Sequence, residues 1–167
     1  MAIAQALGRM GSAAIPALID QYHCACPEPG CRAFILYALG KVKSPEIVKA
    51  ASVALKAAAA ADLELRDSAT RAIGKFAESI PAGALPADLR DALVERLQAN
   101  LADPSAGIRA KAVRSLGKLA RYGHLTGEQR GQLKSTLKRI LGQDERFEWD
   151  RAYVVRKEAQ EALGYVD

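Results

Sequence analysis

The residues best suited to chemistry in this sequence are basic, and they recur at helical spacing in its C-terminal half. We call them the basic stripe: Lys111, Arg114, Lys118 and Arg121 at steps of three and four, then Arg130, Lys134 and Lys138 at steps of four, with Arg139 beside the last. Residues 109–139 hold nine Lys or Arg and one acid, Glu128, so their net charge is +8. The whole chain carries +5, so the rest of the chain has a net charge of −3. Such a stripe attracts an acidic protein surface, phosphates or nucleic acid. The alternative is a solvated helix face, and Tyr122 is the only aromatic residue available there for stacking bases.

A second candidate site is a cluster of possible soft metal ligands, namely His23, Cys24, Cys26 and Cys31. Cys26 and Cys31 have a spacing that zinc sites accept, whereas Cys24 and Cys26 are closer together than is usual. The competing interpretation, which we favour, is a long loop that carries small, partly buried thiols. We therefore predict no metal site and no cofactor.

Catalysis has little support in the sequence. The two histidines, His23 and His124, do not combine with an acid and a nucleophile in a plausible arrangement, so we predict that the chain is not an enzyme. Segment 144–150 is a mixed-charge loop with two aromatic residues, Phe147 and Trp149. Trp149 either covers the end of a helical stack or anchors a protein partner.

The composition points to closely packed helices. Half of the 167 residues are hydrophobic but only 5% are aromatic, and this Ala- and Leu-rich mixture favours helices that approach one another closely. No apolar run approaches the ~18 residues of a membrane span, and the N-terminus lacks the pattern of a secretory signal. Three cysteines argue against a disulfide framework and for a reducing compartment. We therefore predict a cytoplasmic protein.

An internal repeat supplies the elements that must position these residues. Each copy ends in a small residue, then Leu or Ile, then a glycine. These glycines are Gly8, Gly40, Gly74, Gly117 and Gly164, and they are spaced 32, 34, 43 and 47 residues apart. Eight residues before each of the last four glycines stands an arginine, and we call these the register arginines: Arg32, Arg66, Arg109 and Arg156. Apolar residues between them recur at helical spacing. Each glycine marks either a helix end or a close approach of the next helix.

The repeat resembles HEAT repeats of the phycobilisome-lyase-like type. One segment that carries the resemblance is Ile108-Arg109-x-x-Ala112-x-x-Ser115-Leu116-Gly117, preceded by Asp103-Pro104. The other is segment 7–18, which is similar to the connection between the two helices of such a repeat. It covers almost the whole chain and implies an α-solenoid. It also implies a ladder between repeats in which three aspartates pair with register arginines: Asp62, Asp103 and Asp150 with Arg66, Arg109 and Arg156.

A helical wheel gives an independent reason for a structural role of the register arginines. At 100° per residue from Ile108, six apolar residues share one arc of about 140°: Ile108, Ala112, Val113, Leu116, Leu119 and Ala120. Arg109 lies inside that arc. An arginine on the core-facing side needs a partner, because a buried lone charge is costly. We predict that all four register arginines are structural.

These observations predict an all-α fold, a right-handed superhelix of about four to five HEAT-like helix pairs in one array over 1–167. The units are expected at 1–23, 31–61, 63–102, 106–142 and 150–167, with the N-terminal unit truncated. First helices should begin near residues 2, 31, 65, 107 and 152. Second helices should begin near residues 13, 44, 88 and 127.

The predicted function is a non-catalytic scaffold that holds a protein partner on the concave face formed by the second helices. The basic stripe suggests an acidic partner, and Trp149 is a further candidate contact. One alternative is a nucleic-acid-binding solenoid that uses residues 109–139, and a second, implied by the resemblance, is an accessory part of a lyase-type enzyme. Exposed solenoid ends would also allow self-association, and no membrane contact is expected.

Overall fold

The computed structural model describes residues 2–24 and 28–166, and the regular structure within them is helical. The α-helices are α1 Ala2–Arg9, α2 Ala14–Cys24, α3 Pro29–Leu39, α4 Ala51–Ala57, α5 Leu63–Ala77, α6 Ala87–Asn100, α7 Ala106–Arg121, α8 Gly127–Ile140 and α9 Tyr153–Leu163. Short 3-10 segments at Gly11–Ala13 and Pro45–Ala50 lead into α2 and α4. An isolated bridge joins Leu141 to Trp149, and the described residues form no strand. The predicted all-α fold is confirmed.

The helices stack in two layers. The odd-numbered helices α1, α3, α5, α7 and α9 each contact the next one in that order, and we call them the first-helix layer. The even-numbered helices form a second layer that packs against the first. First helices begin at residues 2, 29, 63, 106 and 153, beside the predicted positions, and the second layer begins its α-helices at 14, 51, 87 and 127. This alternation is the architecture of an α-solenoid.

The N-terminal helix pair turns sharply between its members. Gly11 has φ of 64°, a left-handed conformation that glycine adopts without steric cost. α2 then buries Ile15 and Leu18 against the rest of the stack. No single helix in the described ranges is long and apolar enough to cross a membrane; by length and composition alone, α1 passes that test together with the segment 11–24, as a pair bent by 112°.

The second helix of the second unit is shorter than predicted. The sequence predicts a second helix that begins near residue 44 in a unit ending at residue 61, but a 3-10 segment precedes α4, and α4 ends at Ala57. Ser44 caps the segment by accepting from the Glu46 amide at 3.2 Å. A side chain holds the loop that follows: Arg66 Nη1 donates to Ala60 O at 2.7 Å and to Ala61 O at 2.8 Å.

The repeat glycines Gly74 and Gly117 lie inside helices and mark close approaches between first helices. A Cβ added to Gly74 of α5 would stand 2.5 Å from Ser115 Oγ, and one added to Gly117 of α7 would stand 2.8 Å from Ala162 Cβ. Both contacts join one first helix to the next. From the sequence, each repeat glycine could mark either a helix end or a close approach of the next helix. At Gly74 and Gly117 the structure shows the close approach. A side chain here would push two helices apart, because packed interiors hold no spare volume.

We therefore expect Gly74→Ala to lower the free energy of unfolding by about 1.5 kcal/mol, the usual size of an overpacking cost. Gly131 on α8 is the matched control, since a Cβ there meets nothing within 4 Å. Gly131→Ala should stabilise the protein by about 0.5–1 kcal/mol through helix propensity. Urea denaturation of both variants measures the difference, and a stabilising Gly74→Ala would show that the two helices are not in tight contact.

Candidate partner-binding groove

Two register arginines fasten adjacent units together. Arg66 Nε donates to Asp103 Oδ2 at 2.7 Å, while Arg109 binds both oxygens of Asp150, from Nε at 2.7 Å and from Nη2 at 2.9 Å. The Nη1 group of Arg109 also donates to the carbonyls of Asp103 and Pro104, at 2.9 and 3.2 Å. Each arginine thus holds the loop of its own unit through backbone carbonyls and the following unit through a carboxylate.

The bonds run between repeats, as the resemblance implies, but the partners are not the three pairs given above, because each bound carboxylate precedes the next register arginine along the chain. Asp62 instead caps α5 by accepting from the Leu65 amide at 2.8 Å. Arg156 donates to the carbonyls of Asp150 and Arg151, at 2.6 and 3.0 Å. The remaining register arginine, Arg32, lies 5.5 Å from the ring centroid of Tyr22. The reason is geometric: an arginine in the first turn reaches sideways to the neighbouring first helix, where the next N-terminal loop stands.

Burial and the cross-unit bonds act on the titration of these aspartates. The hydrogen bond from Arg109 is the main cause that lowers the pKa of Asp150 below its usual range. Burial opposes ionisation of Asp103, yet its bonds from Arg66 and from the Ser105 amide outweigh burial and lower its pKa as well. Both carboxylates are therefore ionised in the folded protein at neutral pH.

The α7 half of the basic stripe lines a groove of about 380 Å³ that runs across α5, α7 and α9. We call it the α7 groove. Each of its four basic side chains on α7 reaches a neighbouring unit: Lys111 binds Asp67, Arg114 binds Glu158, Lys118 binds Glu78 at 2.6 Å, and Arg121 donates to the Tyr165 hydroxyl at 3.3 Å. The groove is thus basic, but several of its charges are already matched.

Glu158 is a groove residue that the sequence analysis missed. It is only 4% exposed, and Arg114 donates to its two oxygens, from Nε at 2.8 Å and from Nη2. This bond is the main cause that raises the pKa of Arg114. A buried carboxylate needs such a partner, so Arg114 fixes α9 against α7.

Glu78, at the C-terminal end of α5, collects three lysines, which we call the lysine triad: Lys43, Lys75 and Lys118. Lys75 and Lys118 both bind Oε1, at 2.8 and 2.6 Å, and Lys43 binds Oε2 at 2.9 Å. Burial opposes ionisation of this carboxyl, but the three lysine hydrogen bonds prevail and lower its pKa from 4.5 to about 2. Burial lowers the pKa of Lys118. The triad draws on three successive units of the stack.

Two arginines of the same surface, Arg71 and Arg121, rest on aromatic rings. The Arg71 guanidinium lies 4.9 Å from the ring centroid of Tyr37, and that of Arg121 lies 5.1 Å from the ring centroid of Tyr165. Within the described part of the chain, neither guanidinium lies within salt-bridge distance of a carboxylate. An arginine stacked on a ring keeps its outer N–H donors available for an acceptor from outside.

Comparisons with solved structures identify the architecture. Over 95% of its length, the chain is similar to the complex of CpcE and CpcF of phycocyanin lyase from Nostoc sp. PCC7120, with a TM-score of 0.70, 22% identity and 85% of that chain covered. It is a HEAT-like α-solenoid. The solenoid is also similar to a designed armadillo repeat protein in complex with the peptide (KR)4, with a TM-score of 0.69 and 20% identity, covering 93% of this chain and 65% of that one.

A computationally designed armadillo repeat protein for modular peptide recognition matches with a TM-score of 0.63 and 18% identity, over 90% of this chain and 63% of that one. At these identities the likeness shows the fold alone. No protein-family model matches the solenoid's sequence, and no curated protein matches it.

The α8 half of the basic stripe lies on a different surface of the solenoid. Arg130 packs inward, where it donates to the Tyr165 carbonyl at 3.0 Å and to the Ala120 carbonyl. Lys138 and Arg139 are exposed and line a separate cavity of about 490 Å³ with the loop after α8. Lys134, one turn earlier on α8, is half-buried. The basic stripe of the sequence therefore forms two separate surfaces in the structure, and only the α7 half faces the α7 groove.

The loop that carries Trp149 is held by its own backbone. The Asp150 amide donates to the Ile140 carbonyl at 3.0 Å, and the Trp149 ring packs over Gly142, where an added Cβ would stand 3.1 Å from Cε3. Trp149 is nevertheless 61% exposed, and Phe147 beside it is more exposed still. The loop thus displays aromatic residues without covering the core with them.

The thiol cluster departs from the sequence expectation. Cys31 is disulfide-bonded, although the odd number of cysteines argued against a disulfide framework and for a reducing compartment. Cys24 is free and exposed. Cys26 lies outside the described residues. His23 is exposed and meets the Tyr22 ring edge-on at 5.4 Å. Among the described residues, no group of three or more His, Cys, Asp or Glu side chains is placed to hold a metal ion.

Proposed function

We propose that this solenoid is a binding scaffold that holds an acidic, extended segment of a partner protein in the α7 groove. The observation that carries the proposal is the arrangement of cations along one continuous surface of α5 and α7. Arg71 and Arg121 stand on tyrosine rings toward the two sides of the groove, and the lysine triad lies at one end of α5. Carboxylates of a partner would meet donors along this whole surface.

The first-helix layer, rather than the second, is the side that we propose for the partner. Its helices approach closely at glycines: an added Cβ would stand 2.5 Å from Ser115 Oγ at Gly74 and 2.8 Å from Ala162 Cβ at Gly117. At Gly8 it would stand 2.8 Å from Cβ of Lys41, just after α3. A stack curves toward the layer in which its helices lie closer together. We therefore infer that the concave face is formed by first helices, which relocates the partner from the second-helix face expected from the sequence.

A peptide is the class of ligand that this shape favours. Three helices at interaxial distances of ~8–10 Å span about 20 Å, the length of about six extended residues. The designed armadillo repeat protein of similar fold binds the basic peptide (KR)4. The surface here is cationic, so the complementary segment carries Asp and Glu.

Nucleic acid is less well supported as the partner. Carboxylates within the solenoid already pair with Lys111 and Arg114, and the α8 half of the basic stripe faces elsewhere. Fewer unpaired cations on one surface mean fewer phosphates neutralised and fewer counterions released. A lyase-type role rests on a likeness of fold, and we assign no catalytic residue.

Fluorescence anisotropy tests the proposal. The probe is a labelled peptide of about eight residues that alternates Glu and Ala, long enough to cross the groove. We expect saturable binding at low salt, no binding of the matching Lys–Ala peptide, and a loss of about tenfold when Arg71→Gln and Arg121→Gln are combined. Lys56→Gln, an exposed change on α4, is the control and should bind as the unchanged protein does.

Two results would contradict this proposal. The first is absence of binding by the acidic peptide at low salt, with the protein shown to be folded by circular dichroism. The second is tighter binding of duplex or single-stranded nucleic acid, with a steep salt dependence that the same double variant reduces. That second result would make nucleic acid the partner class.

A further inference from the structure

The positive charge of the α7 groove is unevenly balanced. Lys111 is matched by Asp67 and Arg114 by Glu158, each as one cation for one carboxylate. Glu78 is the exception, because a single carboxylate accepts from all three members of the lysine triad. Three ammonium groups and one carboxylate leave an excess of two positive charges at this place.

The geometry of the triad keeps those charges together. Lys75 and Lys118 share one oxygen of Glu78, at 2.8 and 2.6 Å, while Lys43 takes the other at 2.9 Å. The Glu78 side chain is 14% exposed and lies beneath the lysines, whereas Lys43 is 63% exposed. Glu78 therefore gathers the three ammonium groups at one point, beside the groove that Lys75 and Lys118 line.

An ammonium group has three N–H donors, and the Glu78 carboxylate accepts from one N–H of each lysine. A ligand that satisfies several of the others needs several acceptor oxygens and more than one negative charge. A phosphomonoester carries about −1.5 to −2 at neutral pH and offers three terminal oxygens. A glutamate in the partner would bring one charge and two oxygens, and would leave part of the excess unbalanced.

We propose that the lysine triad recognises a phosphorylated residue in the acidic segment that the α7 groove holds. This inference rests on the proposed function and adds its determinant of specificity. The triad draws on the loop after α3, on α5 and on α7, so a phosphate bound there would touch three successive units. The site would make the solenoid's affinity for its partner depend on phosphorylation of that partner.

The test compares three labelled peptides that differ at one central residue of the Glu–Ala sequence: serine, glutamate or phosphoserine. We expect the phosphoserine peptide to bind about tenfold more tightly than the glutamate peptide at pH 7.5. In the double variant Lys43→Gln, Lys75→Gln, that preference should fall to within about twofold, while Lys56→Gln keeps it. The variant keeps the more buried pair of Lys118 and Glu78, and circular dichroism verifies that it is folded.

A second measurement needs no variant. The second ionisation of a phosphomonoester has a pKa of about 6, whereas peptide glutamates stay ionised to about pH 5. The preference for phosphoserine should therefore shrink between about pH 7.5 and pH 5, while the glutamate peptide changes little.

The outcomes separate the two proposals. Equal affinity of the glutamate and phosphoserine peptides, or a preference that survives in the double variant, overturns the phosphate site and leaves the acidic-segment function standing. Failure of all three peptides to bind overturns both. A phosphoserine preference that disappears in the triad variant and at low pH establishes the site.

Discussion

Replacing Arg109 with methionine should lower the free energy of unfolding by about 3 kcal/mol, the low end of the cost of breaking a buried ion pair. The variant keeps much of the aliphatic volume but leaves Asp150 without its two guanidinium bonds, and it releases the carbonyls of Asp103 and Pro104. Both charged side chains are largely shielded from water, so solvent replaces these bonds poorly. Urea denaturation at neutral pH measures the loss.

Arg156→Met is the matched control for this prediction. Arg156 makes the same bonds to the carbonyls of its own loop, at 2.6 and 3.0 Å, but in the described ranges it forms no ion pair across units. Its replacement should cost about 1 kcal/mol, the worth of the carbonyl bonds alone. Equal losses in the two variants would mean that the carboxylate contributes nothing and that the register arginines stabilise only their own loops.

The fold follows from short-range patterns, which explains why the sequence predicts it well. The distance from each register arginine to its glycine sets the face of a first helix, and the same pattern recurs along the chain. Capping residues such as Ser44 and Thr126 mark the starts of second-layer segments, with Thr126 forming a reciprocal capping box with Gln129. What the pattern left open was the role of Gly74 and Gly117, which depends on Ser115 and Ala162 in the neighbouring helix.

The candidate site was predictable only in part, since its cations follow helical spacing but their partners do not. Asp67 and Glu158 each stand 44 residues from the side chain that they bind. No periodicity within one helix connects such positions, and which acid meets which base depends on how far adjacent units rotate and slide. The buried bond of Asn100 Nδ2 to Thr70 Oγ1, at 2.9 Å, is hidden in the sequence for the same reason.

Acid should destabilise the solenoid through Glu78. Its pKa falls from 4.5 to about 2 on folding, because the bonds from Lys43, Lys75 and Lys118 outweigh the effect of burial. A folded-state pKa below the unfolded one means that ionised Glu78 stabilises the fold fully above about pH 5. That contribution is lost as the pH falls from 4.5 toward 2. Partial exposure and solvent screening reduce it to about 2 kcal/mol.

Comparing the protein with Glu78→Gln isolates this contribution, because glutamine keeps the shape of the side chain but does not titrate. The variant should be less stable by about 2 kcal/mol at pH 7, and most of the gap should close as the pH falls to 2, where about half of Glu78 in the folded, unchanged protein is protonated. Asp103 and Asp150 also lose stabilisation in acid, but they do so equally in both proteins. Glu46→Gln, at an exposed pair with Lys49, is the control and should change stability by less than about 0.5 kcal/mol at any pH. A gap between the protein and Glu78→Gln that stays constant from pH 7 to 2 would show that the carboxylate contributes through packing, and that the lysine triad is not held by its charge.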